Sequence, residues 1–72
     1  MPTITAEIRE HHPARQTATE NQVRRLWPDA EPVDPDAGVW NIDVSAEWVA
    51  DLEREGYLDA VVDGLRVWAE MP

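Results

Sequence analysis

Between Thr3 and Arg9 every second residue is apolar, with Ile4, Ala6 and Ile8 on one side and polar groups on the other. A period of two predicts a half-buried strand. Val39-Trp40-Asn41-Ile42-Asp43-Val44 repeats the pattern, with Trp40, Ile42 and Val44 facing inward. The period lengthens twice in between and after. Val23, Leu26 and Trp27 form one apolar stripe before Pro28, and Trp48, Val49 and Leu52 form another before Gly56, so two amphipathic helices are expected. Thr17-Ala18-Thr19-Glu20 reads as a capping box for the first helix, and Ser45 as the N-cap of the second. Gly56 at C′ pairs Tyr57 with Leu52 in the manner of a Schellman motif.

The C-terminal segment carries the strongest local signal. Asp63-Gly64 between two apolar runs is the signature of a type I′ hairpin, whose two central residues need positive φ. Counting outward pairs Val62 with Leu65, Ala60 with Val67 and Leu58 with Ala69 on a buried face. The other face pairs Val61 with Arg66, Asp59 with Trp68 and Tyr57 with Glu70. A rival reading runs the second helix on through Ala60, but Gly56 and the hairpin register oppose it.

The resulting expectation is a single α+β domain over residues 1–72 in the order β-α-β-α-β-β. Its three- to four-stranded mixed sheet would have two helices on one face. Strands joined through a helix would be parallel if adjacent. Residues 28–38, with three prolines and four acids, read as an acidic loop inside that domain.

Composition changes the picture through charge. The 72 residues hold fifteen acids against six basic residues, all arginine, for a net charge of −9. The imbalance lies in one half: residues 1–28 have four arginines and three glutamates, residues 29–72 two arginines and twelve acids. Such a surface disfavours direct binding to nucleic acid or an anionic membrane and favours a basic protein partner. GC-rich codon usage and adaptation to a salty cytoplasm would produce the same composition. The absence of cysteine excludes a disulfide scaffold, and no segment reads as a signal peptide or membrane span, so a cytoplasmic location is the expectation.

Chemistry-bearing constellations are sparse. His11-His12 would point to opposite faces if extended, and no histidine spacing suits a metal. Ser45 is explained as a cap rather than a nucleophile, and the three glycines do not form a phosphate loop. No catalytic residue, metal site or cofactor is expected. Two surfaces remain. Glu47, Asp51 and Glu55 recur every four residues along the second helix with Glu53 nearby, and Asp29, Glu31, Asp34 and Asp36 in the loop would extend this acidic face. Tyr57, Val61 and Trp68, with Val39 on the equivalent face of its strand, would form an apolar contact patch for a partner or a second copy.

Three readings follow. The first is a non-enzymatic inhibitor or modulator whose acidic side occupies a basic, nucleic-acid-binding site on a protein. Phage and mobile-element DNA mimics share this size and charge, an analogy of composition. The second rests on residues 45–58 and the hairpin after them, which resemble the last helix and wing of a winged-helix DNA-binding regulator. That helix would carry four acids against one arginine, which phosphates repel. The third is a salt-adapted structural homodimer joined through the Trp68 patch.

Overall fold

The computed structural model describes residues 1–12 and 16–71. Within them the chain forms β1 (Thr3–Glu10), α1 (Glu20–Leu26), β2 (Glu31–Asp34), a 3-10 turn (Pro35–Ala37), β3 (Val39–Asp43), α2 (Ala46–Glu55), β4 (Tyr57–Val62) and β5 (Leu65–Glu70). The α+β class is as expected, but the sheet has five strands, ordered β2-β3-β1-β5-β4, and every neighbouring pair is antiparallel.

The mixed sheet and the acidic loop are both corrected by one element. Segment 28–38 contains β2, which pairs Glu31 with Asn41, Pro32 with Trp40 and, after a register shift, Asp34 with Val39. Proline is tolerated there because β2 is an edge strand, with only one side in the ladder. This extra strand reverses the chain before β3, so β3 meets β1 antiparallel. The crossover through α1 joins β1 to β2, which run the same way with β3 inserted between them.

The two-residue hairpin forms with the register counted from Asp63-Gly64, with φ of 53° and 80° at those residues. One face of the sheet is the core. Ile4, Ala6 and Ile8 of β1, Trp40 and Ile42 of β3, Leu58 of β4 and Leu65, Val67 and Ala69 of β5 are buried there, with Val44 just beyond β3. Val23 of α1 and Leu52 of α2, with Ala18 and Ala30 in the flanking loops, complete the same cluster, and Leu26, Trp27, Trp48, Val49 and Ala60 pack half-buried around it.

Both helix ends differ in detail from expectation. The N-cap of α1 is Thr19, not Thr17. Gln22 N–H donates to Thr19 Oγ1 at 3.3 Å, and Thr19 N–H donates to Gln22 Oε1 at 2.8 Å. Thr17 is drawn away because it bridges to Arg9 beside β1, and the Ala18 N–H donates to the Ile8 carbonyl at 3.0 Å. At the end of α2 the Gly56 N–H donates to the Leu52 carbonyl at 2.8 Å, the single bond of an αL cap rather than the Schellman pair. Leu52 is buried, whereas Tyr57 is exposed on the other side of the sheet. Ser45 caps the start of α2 as expected, accepting from the Trp48 N–H at 3.4 Å.

Candidate protein-binding site

Both helices bury their apolar stripes against one face of the sheet, and the strand registers set what the other face displays. One transverse row runs Val39, Glu7, Trp68, Asp59 across β3, β1, β5 and β4. The next runs Arg9, Arg66, Val61, and beyond Trp68 on the other side lies Tyr57 beside Glu70. Tyr57 and Trp68 stack with centroids 5.4 Å apart and planes 22° apart. The Arg66 guanidinium carbon lies 5.5 Å from the centroid of the Trp68 ring. Tyr57 and Arg66 thus occupy rows on either side of the indole, an aromatic pair continued by a cation–π contact.

This surface is more polar than the apolar patch expected from sequence. Arg66 binds Asp59 with both ends of its fork, Nε to Oδ1 at 2.9 Å and Nη2 to Oδ2 at 3.0 Å. Those hydrogen bonds hold the Asp59 carboxyl below the usual aspartate range and raise the Arg66 pKa. Arg9 pairs with Glu7 on its own strand, and Trp68 Nε1 donates to Glu70 Oε1 at 2.8 Å. Glu7, Arg9, Arg66 and Trp68 line a shallow depression of about 260 Å³. Val39 is half-buried and separated from Trp68 by β1, so it borders the aromatic pair without joining it. Trp68 is half-buried, while Tyr57 and Val61 are about half exposed, at 46% and 51%.

The acidic residues do not fall on one continuous row. Glu47, Glu53 and Glu55 of α2 are exposed and Asp51 is half-buried. Arg54 reaches Asp51 at 2.6 Å and Glu55 at 3.2 Å, which raises the arginine pKa and relieves the repulsion at that end of the helix. Asp29 and Glu31 instead gather with Asp43, Thr3 and Asn41 around a groove at the β2 edge, while Asp34 ends β2 and Asp36 sits in the 3-10 turn. Strand β2 and the α2-packed strand β4 are opposite edges of the sheet. Asp43 was not singled out from sequence. The β2–β3 pairing, which sets Glu31 opposite Asn41, brings Asp43 near Glu31, and on its other side the Thr3 hydroxyl donates to Asp43 Oδ1 at 2.6 Å. Among the described residues, Asp29, Glu31, Asp34, Asp36, Glu47 and Glu53 have no cation within salt-bridge distance.

The histidine rings lie 4.2 Å apart rather than on opposite faces, because β1 ends at Glu10 and strand alternation ends with it. Among the described residues no group of three or more His, Asp or Glu side chains could hold a metal ion. No helix among them is long and apolar enough to cross a membrane. The β4–β5 hairpin is no free wing, since β5 is paired on both sides, to β4 and to β1. Comparison with family models, with curated proteins and with solved structures finds no match to this chain.

Proposed function

We propose that this chain is a non-enzymatic protein-binding module that inhibits or modulates a partner by occupying its basic, nucleic-acid-binding site. The observation that supports it is the asymmetry of charge satisfaction. Arg9, Arg24, Arg54 and Arg66 are bound by carboxylates of the chain itself, whereas six exposed carboxylates, Asp29, Glu31, Asp34, Asp36, Glu47 and Glu53, have no cation among the described residues. Among the described residues these acceptors have no cation of the chain beside them, and a basic partner would supply one. Fields of this kind steer association and raise on-rates in a salt-dependent way.

The test is affinity capture from a cell lysate at low and at high salt, followed by competition with duplex DNA on the isolated partner. Capture at low salt, loss at high salt and displacement by DNA are the expected results. A variant with Glu47→Gln, Glu53→Gln, Asp29→Asn and Glu31→Gln should keep the fold and lose the partner. Partner retention by that variant, or a shift of duplex DNA by the chain alone, would overturn the reading.

A further inference from the structure

We infer that the outer edge of β4 is a dimerisation strand, on which a second copy of this chain pairs its own β4 antiparallel to make one continuous sheet. The two edges of the sheet differ sharply. β2 has the features that keep an edge from pairing: four residues, Pro32, a register shift and the charges of Glu31 and Asp34. β4 has neither the proline, the short length nor the register shift, and its one charge, Asp59, is paired with Arg66. It is six residues of regular strand, Tyr57-Leu58-Asp59-Ala60-Val61-Val62, without proline, lysine or bulge.

The hairpin geometry sets which backbone groups are free. A type I′ turn closes on Val62 and Leu65, which exchange both hydrogen bonds, and alternation assigns Ala60 and Leu58 to the same inward set. The N–H and C=O groups of Tyr57, Asp59 and Val61 therefore point outward, and no backbone partner among the described residues meets them.

Charge chooses the occupant. In a protein of net charge −9, this strand has one carboxylate, and Arg66 already neutralises it. A basic strand would find no free anion on β4, whereas a second copy finds a self-complementary edge. One two-fold register, centred on Asp59, pairs every residue whose backbone faces outward, and it sets the two Asp59 carboxylates opposite each other, each held by its own Arg66. Each Tyr57 then lies opposite the second copy's Val61, an aromatic against a β-branched side chain, and both are now exposed. Because β2 is blocked, pairing stops at two copies.

Sedimentation equilibrium over a wide concentration range reads this directly. The wild type should be a dimer at high concentration, with self-association unchanged or strengthened by salt, since screening weakens repulsion between two acidic chains. Partner capture under the proposed function should weaken with salt, so the two ideas fail separately. Val61→Pro removes only an outward N–H, a change an edge strand tolerates, and should be monomeric. Amide exchange of the wild type decides the matter even if that variant misfolds: Tyr57, Asp59 and Val61 should be protected at high concentration and exchange freely on dilution. A monomer at every concentration would overturn the inference, as would a dimer in which those three amides stay unprotected. Protection that appears only on addition of a captured partner would assign the edge to that partner instead.

Discussion

A Cβ added at Gly38 would lie 2.7 Å from Thr17 Cγ2 and 2.9 Å from the Ile8 carbonyl oxygen, and the backbone there has φ +76°. The neighbouring Ile8 oxygen is fixed, because it accepts the Ala18 N–H while the Ile8 N–H donates to Gly38. Gly64 has φ +80° and nothing within 4 Å of the same position. Gly64→Ala should therefore cost about 1–2 kcal/mol, the left-handed backbone alone. Gly38→Ala should cost more, because the clash adds to it; urea unfolding of the two variants side by side checks the order. Asp59 gives a prediction of a different kind. Its folded pKa is depressed by the Arg66 hydrogen bonds, so its contribution is complete above the unfolded value of about 3.9 and disappears as pH falls through the lower folded value. Asp59→Asn should lower stability at neutral pH, with the gap to wild type closing only under strongly acidic conditions in a pH series of denaturation curves.

Strand alternation puts two tryptophans, Trp40 of β3 and Trp68 of β5, on opposite faces of the sheet. Trp40 lies in the core at 2% exposure, with the Arg24 guanidinium carbon 5.7 Å from its ring centroid. Trp68 lies on the open face against Tyr57 and Arg66. Trp40→Ala should cost about 3–5 kcal/mol, the usual penalty for emptying a core aromatic site. Trp68→Ala removes a cross-strand pair of about 0.2–1 kcal/mol plus partial burial, and should leave the monomer folded. Near-UV circular dichroism and thermal melts distinguish the two; collapse of the Trp68→Ala fold would place that ring in the core network. The apolar faces of β1, β3 and β5 were legible because alternation is a property of adjacent residues. β2 was not, because an edge strand with Pro32 and two carboxylates has the composition of a loop and is a strand only through its pairing with β3.

Across the whole molecule the decisive quantity is the sign of the salt effect. Charge attraction between this chain and a basic partner is screened within about 8–10 Å at ordinary ionic strength, so capture should fall as salt rises. Pairing of two β4 edges rests on backbone hydrogen bonds and on Tyr57 and Val61, so it should persist. A chain that binds its partner as a dimer would show both behaviours at once, in different salt ranges. The dispersal of the acids to both edges also matters here. Neutralising Asp29 and Glu31 separately from Glu47 and Glu53 tells which edge meets the partner, because the two groups belong to different elements.

The hairpin register, the buried faces of three strands, Ser45 and Gly56 as the limits of α2 and the acidic balance of the chain follow from residues near each other in sequence, where turn chemistry and periodicity act. The antiparallel sheet, its strand order and the grouping of Asp43 with Glu31 came only from the folded chain. So did the Arg66–Asp59 pair, which sequence counting had put on neighbouring rows without joining them. Each depends on which strand lies beside which. Strand pairing is a contest between distant segments, and one short edge strand was enough to reverse the direction of everything that follows β2.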